Sequence, residues 1–311
     1  MTFPGRFTDQ LMADRLDHVS LSFLVDDLEV RHGGVGANIA YGLARLGERP
    51  TLVAAVGQDF DDYGRRLRSH GVDLASVRVS ASRRTARFVC TTDRAGNQIA
   101  SFYPGAMSEA AGLDLADVTA RTGRPDLVLV GPDDPDAMLR HTAACRALGY
   151  AFAADPSQQL ARIDRSAARA LVTGATYLFT NEYEGALLLR RAGWTTADVL
   201  GRVGVWITTL GEKGVRLERA GEPAVEVPAV TPARMADPTG AGDAFRAGFT
   251  AARLRGTALT PAAQAGCALA AYALESVGTQ EYAVDDAGLA TRLARVYGPQ
   301  AAGAFAEVSL P

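Results

Sequence analysis

The run Asp237-Pro-Thr-Gly-Ala-Gly-Asp243, continued by Ala244-Phe-Arg-Ala-Gly-Phe249, combines three features that could do chemistry. A turn of small residues lets backbone approach a ligand closely. A helix-like run follows at once, to about Arg255, and its first N–H groups have no partner within the helix and carry the positive end of its dipole. That makes the turn an anion site, with phosphate the expected anion. Asp243 stands where the helix begins. A carboxylate beside bound phosphate is repelled by it, so its presence makes sense if it accepts a proton from an attacking hydroxyl. The stretch therefore suggests phosphoryl transfer to an alcohol. A plainer reading stands beside it: Asp is a good N-cap, and Gly-rich turns often only connect a strand to a helix.

A second Gly-rich turn, Gly33-Gly-Val-Gly-Ala-Asn38, also enters an apolar helix. Gly34 lets the backbone lie against a ligand, and Asn38 offers a donor and an acceptor. Neither turn is a GxxxxGK[ST] phosphate loop or a GxGxxG fingerprint, which weighs against P-loop enzymes and dinucleotide-dependent oxidoreductases. Asn181-Glu-Tyr-Glu184 puts an amide and a carboxylate on one helix face, which suits a hydrated Mg²⁺ but equally an N-cap and a first-turn acid. Thr209-Leu-Gly211 is a short Gly-containing turn of little independent weight. Asp155-Pro-Ser-Gln-Gln159 ends an apolar strand, so Gln158 and Gln159 could bond a ribose or base. Phe88 and Phe102 read as core by default, or as aromatics that stack on a base.

These residues need a scaffold. Short apolar runs, Leu52–Gly57, Leu127–Val130, Ala151–Ala154, Tyr177–Phe179 and Val203–Thr208, alternate with helical stretches, 39–46, 59–70, 135–148, 162–171 and 181–191. Helices follow at 243–255, 261–277 and 287–297. This rhythm predicts an α/β fold: a mainly parallel sheet with helices on both faces, its ligand edge at the strands' carboxyl ends. The segments 1–30 and 81–105 break the rhythm. Val19–Val25 alternates like a half-exposed strand, and 85–92 with 98–103 reads as a hairpin, so these predict a small antiparallel lid beside a core of 31–80 and 106–311. The 311 residues are 48% hydrophobic and 22% charged, enough for a packed core. A net charge of −3 with scattered Lys and Arg excludes a nucleic-acid field. Three separated cysteines and an N-terminus without an apolar leader fit a cytoplasmic protein with no membrane segment. The four histidines fit no catalytic or metal spacing.

The full DPTGAGDAF string resembles the second signature of the ribokinase-like (PfkB) family of carbohydrate and nucleoside kinases, and GGVGAN resembles its first. The likeness extends over nearly the entire chain. The runs SLSFLVDDL, TARFVCTTD, QIASFYPGAMSEA and FAADPSQQLAR resemble those of actinobacterial adenosine kinases. The resemblance implies a ribokinase-like three-layer core with a β lid. It implies Asp243 as catalytic base and Gly240, Ala241 and Gly242 as anion hole. It implies that Ser22, Gly34, Asn38, Phe88, Phe102, Gln158 and Gln159 contact adenosine. Asn181, Thr209 and Gly211 would serve ATP, and Glu184 the water shell of Mg²⁺. The expected reaction is phosphorylation of the adenosine 5′-hydroxyl. The alternatives are another sugar or ribonucleoside, or a nucleoside-binding homologue without turnover. A lid with free edges also invites a homodimer. The family further has a first core strand, ending in an Asp for the sugar hydroxyls, that this sequence does not contain. The expectation is either a start placed at an internal Met or a protein that lacks that strand.

Overall fold

A computed structural model of the chain describes residues 1–11 and 20–306. The expected alternation is present, with short strands. In chain order come α1 (Val35–Arg45), β1 (Ala54–Val56), α2 (Asp61–Ser69), β2 (Val77–Val79), β3 (Arg87–Thr92) and β4 (Gln98–Tyr103). Then follow α3 (Leu115–Thr122), β5 (Val128–Val130), α4 (Pro135–Leu148), β6 (Phe152–Ala154), α5 (Arg165–Val172), β7 (Tyr177–Asn181) and α6 (Glu182–Ala192). The last part holds α7 (Thr196–Leu200), β8 (Val205–Thr209), β9 (Val215–Glu218), β10 (Val225–Val227), α8 (Ala241–Leu254), α9 (Leu259–Leu274), α10 (Asp286–Tyr297) and α11 (Pro299–Ala306).

The main sheet has the order β10-β9-β8-β7-β6-β5. β5 to β8 are parallel, and β9 and β10 add an antiparallel edge. Side chains alternate between its faces, as strand geometry requires. Ala153, Tyr177, Phe179, Val205 and Ile207 enter one core with α1, α2, α8, α9 and α10. Phe152, Ala154, Leu178 and Trp206 enter a second with α3, α4, α5 and α6. Two helical layers around one sheet give the three-layer architecture. The middle strands β6 to β8 are apolar on both sides because both faces are covered.

Several elements differ from expectation. β9 and β10 are too short and too mixed in charge to stand out, and they form because the antiparallel edge gives them a partner. β1 pairs in parallel with β2 in a sheet of their own, so β1 and β5 each carry an unpaired edge among the described residues. The expected hairpin forms as β3–β4, in a register that sets Phe88 opposite Phe102. The strand expected at Val19–Val25 does not form: Val19 lies outside the described residues, and 20–25 are irregular. The N-terminal residues take the place beside β3 instead. Phe3 N–H donates to Thr92 O, and Thr92 N–H donates to Met1 O. Phe23 then packs with Phe3 and Phe7 in an aromatic cluster, ring centroids 5.0 and 4.9 Å away.

α1 and α8 carry the two Gly-rich turns, and their closeness positions the site. A Cβ on Gly42 would sit 2.6 Å from Ala247 Cβ and 2.7 Å from Tyr282 Oη. Gly42→Ala should therefore push α1 off α8 and cost about 1–3 kcal/mol. Thermal unfolding should show a lowered Tm; an unchanged Tm would mean the two helices part freely.

Candidate active site

α8 starts one turn ahead of its carboxylate. Gly240 is its N-cap with φ +82°, a conformation that favours glycine, and a Cβ there would lie 2.9 Å from Thr279 Cβ. Asp243 is the third helical residue and does not cap the helix. Ala241 N–H turns back to Pro238 O at 3.4 Å. The N–H groups of Gly242 and Asp243 have no acceptor among the described residues. These are the free donors that a helix start offers to an anion.

The Asp243 carboxylate is aimed by a network, not by the helix. Asn38 Nδ2 donates to Asp243 Oδ2 at 2.7 Å. Asn38 Oδ1 accepts from Thr279 Oγ1 at 2.8 Å and from Gln280 Nε2 at 2.9 Å. With its oxygen taken by two donors, the amide can only turn its nitrogen towards the carboxylate. Gln280 Nε2 also reaches Tyr63 Oη, and Tyr63 Oη donates to Gly33 O at 3.0 Å. His32 stacks on the Tyr63 ring with centroids 4.3 Å apart. Burial pushes the Asp243 carboxyl up to about 6; the Asn38 bond and the Arg246 charge pull it down, and Asp155 pushes it up.

The strand ends supply the rest. Asp155, after β6, is 1% exposed and pairs with Arg246 of α8, itself 7% exposed. Ser157, with φ +44°, donates from Oγ to Glu184 Oε1 at 3.1 Å. Glu184 Oε2 accepts from the Asn181 N–H, and Asn181 Oδ1 accepts from the Glu184 N–H, a reciprocal capping box. Gln159 Nε2 donates to Asp133 O at 2.8 Å, while its buried Oε1 has no partner among the described residues. Burial raises the Asp133 carboxyl to about 6. Thr209 pairs with Asn181 across β8 and β7. Gly34 and Gly211, both at positive φ, have open space where a Cβ would point.

The structure thus brings Gly34, Asn38 and Gly240 to Asp243 together, and ties the β6 and β7 ends to them through Arg246, Asp155, Ser157 and Glu184. Gln158 is exposed and makes no described hydrogen bond. Ser22 is exposed on an irregular segment. Phe88 and Phe102 are 67% and 48% exposed on the hairpin, so neither is core. No described contact joins these three lid residues to Asp243. Gln280, Thr279, Tyr63, Asp155 and Arg246 were not assigned from sequence. The one signal was an Arg within the otherwise small and apolar face Ala244–Phe249. Among the described residues no cluster of three or more His, Cys, Asp or Glu could cage a metal. The Glu184 oxygens, each already accepting one bond, fit contact with Mg²⁺ through water, the mode expected of an ion carried by a triphosphate.

Comparison with known proteins identifies the family. Residues 7–286 match the model of the pfkB family carbohydrate kinases. The nucleoside kinase of Methanothermobacter thermautotrophicus is 32% identical over 273 residues, covering 86% of each chain. The ribokinase of Bacillus subtilis is 28% identical over 255 residues, covering 80% of this chain and 83% of its own. The structure of Burkholderia thailandensis nucleoside kinase in complex with inosine superposes with a TM-score of 0.85 at 32% identity, covering 96% of this chain and 94% of that one. A match over residues 7–286, most of its length, makes this chain a member of the pfkB carbohydrate kinase family.

Proposed function

We propose that the chain transfers the γ-phosphoryl group of ATP to the 5′-hydroxyl of a ribonucleoside, with adenosine the expected substrate. The observation that carries the reading is Asp243 held by Asn38 at 2.7 Å beside the free N–H groups of the α8 start. An alcohol, with a pKa far above that of any carboxyl, is not deprotonated beforehand. Asp243 orients the hydroxyl and takes its proton late, as the phosphoryl group moves through a loose transition state. The Gly240–Gly242 turn and the N–H groups at the head of α8 stabilise charge on the phosphoryl oxygens. Mg²⁺, when bound, neutralises the triphosphate; Glu184 and Asn181 would hold its water shell. Thr209 and Gly211 would line the nucleotide side, and Gly34, Gln158 and Gln159 the nucleoside side.

Residues 31–80 and 106–311 act in this reading as the kinase core, with 1–30 and 81–105 as a lid. Ser22, Phe88 and Phe102 reach the base when the lid closes, which excludes water from the transfer. The exposed Phe88–Phe102 pair supports this, since a paired aromatic surface left in water is suited to a flat ligand. The nucleoside-kinase relatives favour a ribonucleoside over a free sugar, and the neighbour solved with inosine makes inosine the first rival substrate. The chain works in the cytoplasm in this reading, and the lid edge offers a homodimer contact.

ADP release with ATP and Mg²⁺ should depend on adenosine, measured beside inosine, guanosine, cytidine, ribose and fructose 6-phosphate. Turnover confined to a sugar would overturn the nucleoside assignment, and adenosine binding without ADP release would favour the non-catalytic homologue. Asp243→Asn should lose about 10²–10⁴-fold in kcat. Its Tm at pH 7.5 should equal or exceed that of the unmutated chain. A carboxyl whose folded pKa lies above its unfolded value costs stability once ionised, and the amide removes that cost. The rate should fall as pH drops through about 6, because the base must be ionised. Asn38→Ala, by removing a donor to the charged form, should move that acid limb to higher pH. Asp133→Asn should leave the limb in place, which separates the two carboxyls.

A further inference from the structure

We propose that Arg246 contacts the phosphoryl group in transit, with Asp155 as the residue that positions it. The proposal rests on the phosphotransfer reading above. Arg246 follows Asp243 by three positions and so shares its face of α8. Two of its guanidinium nitrogens face Asp155: Nη2 donates to Oδ1 at 2.7 Å, and Nε is ion-paired with Oδ2 at 2.7 Å without hydrogen-bond alignment. This side-on pairing with both carboxylate oxygens holds the guanidinium in place. The third nitrogen, Nη1, has no partner among the described residues. It lies 2.9 Å from the point where a Cβ on Gly242 would stand. The free nitrogen is therefore beside the Gly242 and Asp243 N–H groups, where the phosphoryl oxygens must sit.

Two further observations agree. Gly242 does not have positive φ, so backbone conformation does not demand glycine there. The room it leaves is the room Nη1 occupies. Charge points the same way. Asp243, Asp155 and Glu184 gather three carboxylates at this edge, and Arg246 is the cation that acts on Asp243. A triphosphate entering without that cation would meet net negative charge. Arg suits both tasks because it stays charged and offers a fork plus one spare nitrogen; Lys offers neither plane nor fork. In the transfer, the 5′-oxygen bonds to the γ-phosphorus as the bond to the β,γ-bridging oxygen breaks. The hydroxyl proton goes to Asp243. Arg246 gives a hydrogen bond and no proton.

The test uses the full chain and compares Arg246→Lys, Gly242→Ala and the neutral double variant Arg246→Gln with Asp155→Asn. The double variant avoids a buried unpaired carboxylate. ATP and ADP binding are measured by calorimetry, alongside kcat, KM and Tm. The unmutated chain should prefer ATP to ADP by about tenfold or more, through the γ-phosphate contact. All three variants should lose that preference and drop about 10²–10³-fold in kcat, with nucleoside KM little changed. Folded variants that keep both the ATP preference and kcat within about threefold would reduce Arg246 to a clamp between α8 and β6. If the unmutated chain binds neither nucleotide, the phosphotransfer reading itself fails, a result distinct from failure at Arg246.

Discussion

The bond from Asn38 to Asp243 joins two helix starts, and the rest of the structure is arranged to keep it. A carboxylate buried near an anion site is costly unless something bonds its charged form. Asn38 supplies that bond, and it can do so only because Thr279 and Gln280 occupy its oxygen. Those two residues lie on the turn after α9, so that turn must sit against the Gly33–Gly34 loop. Tyr63 of α2 reaches both Gln280 and Gly33 O, closing the ring of contacts. Gly42 then brings α1 near enough to α8 for the amide to reach. One hydrogen bond thus depends on four segments that are distant in sequence.

The two Gly-rich turns were legible because their requirements are local. A helix needs a start, a start offers free N–H groups, and small residues let something approach them. The fold class was legible for a similar reason: apolar runs of strand length alternating with amphipathic helices allow few layered solutions. The network behind Asp243 was not legible. Gln280 follows a Ser-Val-Gly-Thr stretch that reads as an ordinary helix exit, and its role exists only through an amide 242 positions away. The Val19–Val25 alternation misled because a period of two says nothing about whether an edge is free. Residues 1–5 hold that edge, and Phe23 is drawn into an aromatic cluster instead. β9 and β10 were missed because a neighbour, more than propensity, makes them strands.

The lid and the core are stabilised in different ways. The core strands are covered on both faces, and Trp206 even spends its indole N–H on Thr180 Oγ1 at 2.9 Å. The hairpin has no such cover. Its root is tied down instead: Asp59 bonds Thr85 and Arg87, and those bonds hold its carboxyl down at about 2 against the opposing effect of its desolvation. The other end of the hairpin is held as well, by Arg94 N–H on Gly5 O and Phe7 N–H on the buried Asp93 carboxylate, so what stays uncovered is the Phe88–Phe102 face between two anchored ends.

The larger of the two cores has a consequence for synthesis. Besides the sheet residues between Ala153 and Val230, it is built from an early stretch of the chain, residues 37–74, and a late one, residues 244–301. Ala37, Ile39, Ala40 and Tyr41 of α1 find their cover in helices made some two hundred residues later. At about 5–20 residues per second, that surface waits on the order of ten to forty seconds on the ribosome before α8 and α9 exist to receive it. Over the same interval the smaller core, drawn from residues 115–206, can form from neighbours alone. The nascent chain therefore passes through a state with a finished middle and an uncovered beginning, the state in which a chaperone has most to hold.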